Sequence, residues 1–317
     1  MEILKDLVLR YCVIFGKRFS SKEKIAFLRV ISKELGQLGY MVDAKLAKLK
    51  LATRRYENYY NAYIGDLNKA ELIICTYYDT GINHFNLQKK YAFTRQFNKL
   101  SYFISIAPII FLFIASILLN YFVFLPNIRT QGFFSISGIC SVISTVLLFF
   151  LVFKFKSGIP NQKNFVCNSS SIITIINLIN KLDKKDKKKI AFVLYDGGNS
   201  SQYGLKMLEN YSDKMKDKKF IFIDSIGNGD NLIFLKPQES NLKIEGETFY
   251  TGKIETQLPN YMMITSGDVN KDGKIIINNA HSSKDSYLSD EIIEKHTQSL
   301  RDVCRSLMMH YTDKNQK

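Results

Sequence analysis

Short apolar runs alternate with amphipathic stretches along most of this chain, and two long uncharged blocks interrupt them. Ser20 opens a capping box with Glu23, and Ile25, Leu28, Ile31, Leu35 and Leu38 recur at helical spacing towards Gly36 and Gly39, which predicts an amphipathic helix. Residues 40–53 and 58–64 are rich in β-formers and predict strands. Leu72–Thr76, Ile190–Asp196, Phe220–Asp224, Leu232–Leu235 and Tyr261–Ser266 are too short for helices and are bounded by polar residues, the pattern of buried strands. Helices are predicted over Ser169–Leu182, over Tyr203–Met215 and from Asp290 to His310, where Ile293, Leu300, Val303 and Leu307 share a face. The lysine-rich segment Lys181–Lys189 reads as a solvated turn. Strand and helix alternate as in an α/β sandwich.

The uncharged blocks run from Phe103 to Leu125, 23 residues, and from Phe133 to Phe153, 21 residues. A bilayer crossing needs roughly 20 apolar residues, so both predict transmembrane helices, with LPNIRTQ between them as a tight hairpin loop. Lys89, Lys90, Arg95 and Lys99 precede the first block and Lys154, Lys156 and Lys163 follow the second, whereas the loop carries only Arg129. Basic flanks stay in the cytoplasm. The expected location is therefore the cell membrane, with two spans and with the soluble domain and both termini cytoplasmic. Residues 1–99 and 157–317 would then share a compartment and fold as one α/β domain, interrupted by a transmembrane hairpin over 100–156.

Composition narrows the partners. The formal charge of +15 in 317 residues, together with the membrane segments, points to anionic inner-leaflet lipid, and no nucleic-acid motif appears. With 46% hydrophobic residues the chain can bury a sizeable core. Five cysteines, widely spaced and without a C-x-x-C pair, suit a reducing compartment. The N-terminal stretch MEILKDLVLRYCVIFGKRF carries charges throughout and no small-residue cleavage site, so it reads as a short helix packed on the domain or lying at the membrane surface rather than as a secretory signal.

Chemistry is expected at the strand ends. The run ELIICTYYDTG places Tyr77 and Asp79 just beyond a strand, where open α/β sheets line their ligand crevice. The pattern resembles that of the di-zinc aminopeptidases, whose corresponding strand ends in His-x-Asp, and the resemblance covers about residues 20–80 and 165–311. It implies a three-layer α/β/α fold with a mixed sheet. Family ligands map onto this chain with substitutions. Tyr77 stands at a zinc-binding His, and Asp79 at the bridging Asp. Cys167, followed by Asn168, stands at a second bridging Asp. Gly198 replaces the general base Glu and Asn199 a ligand Glu, within Tyr195, Asp196, Gly197, Gly198, Asn199. Asp224, in Asp-Ser-Ile-Gly, and His281, in His-Ser-Ser-Lys-Asp, retain their family identity.

A hydrolytic zinc needs about three protein ligands, an open water position and a base. By resemblance the chain is then a degenerate member of the family, a membrane-anchored pseudopeptidase whose eroded crevice, built from Tyr77, Asp79, Cys167, Asn168, Gly198, Asn199, Asp224 and His281, holds a peptide, its amino terminus or a membrane-protein partner. No catalytic residue and no cofactor is expected. The alternative is an active hydrolase with one zinc on Asp79, Asp224 and His281, joined by Cys167 as a thiolate; a scaffold without a working pocket is the third reading. Carboxylates at strand ends also cap backbone N–H groups without any metal, which is the plain explanation for Asp79 and Asp224. Packing equally explains Tyr77 and Cys167. The segment DVNKDG, Asp268–Gly273, begins like a calcium loop but has Asn279 where a bidentate Glu belongs, and reads as a turn between strands.

The charge asymmetry makes a topological prediction. A cysteine placed between Pro126 and Gly132 should react with an impermeant maleimide added to intact cells, and one at the C-terminus should not. Labelling of the C-terminus from outside would reverse the orientation.

Overall fold

The computed structural model describes residues 2–50, 56–83, 89–94, 99–155, 157–199, 201–227, 229–237, 240, 242, 248–249, 254, 256–280, 282 and 284–312. They form two compact units, one of Met1–Gly81, Gln88–Gln96 and Asn161–Lys317, the other of Ile82–Leu87 and Phe97–Pro160.

The first unit is a three-layer α/β/α structure around a mixed sheet. Its strands are β1 (Val42–Lys50), β2 (Tyr56–Ile64), β3 (Leu72–Tyr77), β4 (Lys90–Tyr91), β5 (Ile190–Tyr195), β6 (Lys219–Asp224), β7 (Leu232–Leu235), β8 (Thr248–Phe249), β9 (Tyr261–Ser266), β10 (Asp268–Val269) and β11 (Ile275–Ile277). The large sheet has the order β1-β2-β5-β3-β6-β9-β7-β8, with β5, β3, β6 and β9 mutually parallel, and β10-β11-β4 form a small antiparallel sheet. Every residue of β3, β5 and β9 is buried, as is all of β6 after Lys219. Parallel strands buried on both faces read as continuous apolar runs, which is why they are visible in the sequence. β3 lies near the middle of the sheet, so Tyr77 and Asp79 emerge between the ends of β5 and β6.

The helix Ser21–Gln37 starts at the expected capping box, and Phe27, Leu28, Ile31 and Leu35 face the core. Helices Ser170–Lys181 and Asp290–Thr312 pack together, with Asn177 Nδ2 donating to Thr297 Oγ1 at 3.0 Å. The N-terminal segment is a helix, Glu2–Val8, continued by a π turn, Leu9–Ile14, and it packs on the domain through Leu4, Leu7, Tyr11 and Cys12. Two local expectations change, and a third, the turn at Asp268–Gly273, holds. Lys184–Lys189 is a short helix rather than a turn, because Asp183 Oδ1 caps the N–H groups of Lys185 and Asp186 at 3.0 and 2.9 Å. The helix from Tyr203 stops at Glu209 and is followed by a 3-10 turn, Asp213–Asp217. Residues Asp268–Gly273 enter a tight hairpin in which Asn270 Oδ1 accepts the N–H groups of Asp272 and Lys274.

In the second unit, two helices are long and apolar enough to cross a membrane, Lys99–Gln131 and Ile136–Phe155. The segment LPNIRTQ is helix, not loop: a π turn at Asn120–Phe124 absorbs Pro126, which cannot donate a backbone N–H, and the chain reverses only at Gly132, with φ 85°. The two helices are tied by Ser141 Oγ donating to Asn120 Oδ1.

Arg18 joins three segments of the first unit. It is fully buried, and its guanidinium donates to the carbonyls of Tyr11, Phe15 and Tyr78 at 2.9, 2.6 and 2.6 Å and to Asn168 Oδ1 at 2.5 Å. Burial lowers its pKa to about 10, which leaves it charged at neutral pH. Arg18→Met removes buried donors from the carbonyls of Tyr78, Tyr11 and Phe15 and should cost roughly 3–5 kcal/mol in a denaturant titration, whereas an exposed control such as Lys22→Met should cost under about 0.5 kcal/mol. An Arg18→Met protein as stable as the parent would refute this role.

Candidate functional site

Tyr77 ends β3, Asp224 ends β6, and Lys90 opens β4; these three side chains meet at the crevice. Lys90 Nζ donates to Tyr77 Oη at 2.7 Å and lies 3.4 Å from Asp224 Oδ2. Tyr77 Oη in turn donates to Asp224 Oδ1 at 2.9 Å, and Ser225 Oγ donates to the same oxygen at 2.6 Å. The Phe93 N–H donates to Asp224 Oδ2 at 2.9 Å. Lys90 is 3% exposed and Asp224 1%. Taking a lysine out of water would favour its neutral form, but the Asp224 carboxylate outweighs that cost and holds Lys90 above its ordinary pKa. Burial and the same carboxylate push the Tyr77 phenol well up, so it remains a donor.

Asp79 does different work. Its Oδ1 accepts the Gly198 N–H at 2.7 Å and its Oδ2 the Asn199 N–H at 3.3 Å, while Asn199 Nδ2 donates to the Asp79 carbonyl at 2.6 Å. This is a carboxylate capping a turn. Burial raises its pKa to about 6, helped by the nearby Asp196 and opposed by Lys24, which pairs with Asp196 at 2.6 Å. Asn168 links Arg18 to the Tyr77 carbonyl, to which its Nδ2 donates at 2.8 Å. Cys167 is buried, and burial pushes its thiol up to about 12. Gly198 is not an empty position: a Cβ there would lie 2.1 Å from Tyr77 Cβ. The backbone at 198 and the side chain at 77 are in contact, so Tyr77 occupies the place a side chain at 198 would take.

A small pocket, with about 20 Å³ of free space, room for about one water, is lined among others by Tyr77, Lys90, Phe93, Tyr195, Gly198 and Asp224. Of the residues singled out from the sequence, Tyr77, Gly198 and Asp224 reach it. Asp79, Cys167 and Asn168 are buried outside its lining, Asn199 pairs with Asp79, and His281 lies outside the described residues. Asp285, four residues after His281, is buried and accepts the Val166 N–H at 2.7 Å, which fixes the turn carrying Cys167. Lys90 and Arg18 were not anticipated. Lys90 stands in a Lys-Lys pair ahead of an apolar block, and its partner Asp224 is 134 positions further on, so no local pattern marks it.

Solved structures supply the frame for this geometry. A Zn-dependent exopeptidase from Parabacteroides distasonis superposes with a TM-score of 0.56 at 12% identity, covering 95% of this chain and 94% of its own. Glutaminyl cyclase from Porphyromonas gingivalis gives 0.59 at 11%, covering 96% of both chains, and a leucine aminopeptidase precursor from Bacteroides thetaiotaomicron gives 0.52 at 11%, covering 95% and 93%. The fold is that of zinc exopeptidases and glutaminyl cyclases. No protein-family model and no curated protein matches the sequence.

Zinc is the group this fold implies, and the donors among the described residues do not fit it. Both oxygens of Asp224 are engaged by Tyr77, Ser225, Phe93 and a resident ammonium; both oxygens of Asp79 are engaged by backbone N–H groups; the Cys167 thiol is held protonated. Among the described residues no three His, Cys, Asp or Glu side chains are grouped to hold a metal ion.

The raised Asp79 has a signed consequence. Its folded pKa of about 6 exceeds the unfolded carboxylate value, so its contribution to stability is complete below about pH 4 and is lost as pH rises towards 6. Asp79→Asn should flatten the change in thermal midpoint across that window. An unaltered pH profile in Asp79→Asn would assign the titration elsewhere.

Proposed function

We propose that this chain is a membrane-anchored pseudopeptidase, an exopeptidase-fold protein that binds a peptide or a membrane partner at its remodelled crevice and does not cut it. One observation carries the reading. Lys90 delivers a permanent ammonium to Asp224, the residue that the aminopeptidase resemblance assigns to a metal, so the charge a zinc would neutralise is already neutralised from within the chain. A second supports it: Gly198 stands where the resemblance expects the general base, and Tyr77 Cβ leaves no room for a side chain there. Loss of a base alone typically costs 10²–10⁴ in rate.

The anchor rests on the two apolar helices. Phe111, Phe122, Phe134 and Ile136 are between 68% and 92% exposed, and side chains of this kind have a natural environment in lipid. In this reading residues 1–99 and 157–317 form the cytoplasmic domain and 100–156 the anchor, with the chain's net charge of +15 favouring an anionic leaflet.

Full-length protein purified in detergent should contain substoichiometric zinc. It should release no amino acid from unblocked peptides and cyclise no N-terminal glutamine above background, with or without added zinc. About one zinc per chain, with hydrolysis or cyclisation lost in Asp224→Asn, would establish an active metalloenzyme instead.

A further inference from the structure

The N-terminal segment has two faces that meet different surroundings. Leu4, Leu7, Tyr11 and Cys12 are buried on the domain, whereas Leu9, Val13 and Ile14 are 53%, 60% and 63% exposed. The backbone gathers these three. Leu9–Ile14 is a π turn, with the Phe15 N–H donating to the Arg10 carbonyl at 2.8 Å, and i→i+5 bonding brings residues 9, 13 and 14 to one side with Tyr11 opposite. In an α-helical turn Ile14 would rotate away from Leu9. Gly16 lets the chain leave the turn, since a Cβ there would lie 2.0 Å from the Cys12 carbonyl oxygen. The neighbouring cations are paired, Arg10 with Asp6 at 2.5 Å and with Glu34 at 2.7 Å, and Lys17 with Glu23 at 2.8 Å. The patch between them is aliphatic.

The same segment is bonded to the point where the chain leaves the first unit. Four residues beyond Ile14, the Arg18 N–H donates to Thr80 Oγ1 at 3.0 Å and the Arg18 carbonyl accepts the Thr80 N–H at 3.1 Å. Gly81 follows, and its carbonyl accepts the Asn161 N–H at 2.9 Å, which joins the outgoing segment to the returning one. The apolar helix Ile136–Phe155 ends six residue steps before Asn161, a span of at most about 22 Å, and Ile14 is four steps from Arg18, at most about 14 Å. A bilayer that holds this helix is therefore on a short tether from Leu9, Val13 and Ile14.

We propose that the N-terminal segment is a lipid-contact element, in which Leu9, Val13 and Ile14 enter the interfacial layer of the bilayer that the anchor spans and hold the carboxyl end of β3 against it. The proposal rests on the membrane-anchored reading and adds a second point of attachment to it. An apolar helix face settles about 5–10 Å into the boundary between headgroups and acyl chains, with a strength that follows the apolar area buried. Three aliphatic side chains alone would hold a free protein weakly. Tethered beside the anchor they meet the lipid at a high effective concentration, so a weak contact becomes persistent. Paired charges on the flanks make the contact one of apolar burial, and it should form on neutral as well as on anionic lipid. The segment thus packs on the domain with one face and lies on the membrane with the other.

The test uses full-length protein, one chain per phosphatidylcholine nanodisc, labelled with an environment-sensitive fluorophore and quenched by doxyl groups carried on the lipid. Cys12, Cys75, Cys167 and Cys304 are buried and Cys140 is exposed on the second apolar helix, so the parent protein labelled at Cys140 reports the anchor itself. In a Cys140→Ser background, a label at Leu9→Cys should be quenched at least about twofold more than one at Lys216→Cys, an exposed position at the opposite end of the sheet, ahead of β6. Adding Val13→Asn and Ile14→Asn, both at exposed positions, should bring the Leu9→Cys label down to the Lys216→Cys level. Quenching at Cys140 with none at Leu9→Cys would overturn the lipid contact and leave the anchor standing, and quenching at neither would overturn both. Quenching at Leu9→Cys that is unchanged by the two asparagines would overturn the assignment to these side chains.

Discussion

A carboxylate buried to 1% exposure at a strand end must be met by positive charge or by donors, and in this chain that requirement organises the crevice. Asp224 draws in Lys90, and with it the strand Lys90–Tyr91, which pairs with Ile276 and Ile277 of β11. It also draws in the Phe93 N–H and the Ser225 hydroxyl. Removing Lys90 would leave an uncompensated buried charge, whereas replacing the whole pair by apolar residues is far cheaper. The pair therefore persists as a unit, and the segment carrying Lys90 is held at the crevice by electrostatics as much as by strand pairing.

A second buried cation, Arg18, has an equivalent role beneath the end of β3. It satisfies carbonyls of the N-terminal helix and of Tyr78 while Asn168 bridges it to Tyr77. Asp79 spends both oxygens on the turn at Gly198 and Asn199. Each of these polar groups is thus occupied in holding backbone around the crevice.

The sequence revealed the segments that have a period. Buried strands, the capping box at Ser20, the strand-end acids and the two apolar blocks were all legible because one-dimensional pattern and burial coincide there. Three features had no such signal. Lys90 looks like a flanking basic residue until its distant partner is known. LPNIRTQ contains turn-forming residues, and only the π turn at Asn120–Phe124 lets the helix continue through it. The contact between Gly198 and Tyr77 brings a loop backbone against a side chain at the end of β3, 121 positions away, which a glycine in a loop does not announce.

The unequal helices of the second unit carry a mechanical consequence. At 1.5 Å per residue the helix Lys99–Gln131, with 33 residues, is about 50 Å long and its partner, with 20, about 30 Å. The hydrocarbon of a bilayer is roughly 30 Å thick. A membrane that accepts both must tilt the longer one or let its last turns, with Asn127, Arg129 and Thr130, stand clear of the acyl chains as a stiff post. Thickness mismatch of this kind sorts proteins between membranes. The post would make the chain sensitive to the thickness of the leaflet it faces, a property seated far along the sequence from the crevice.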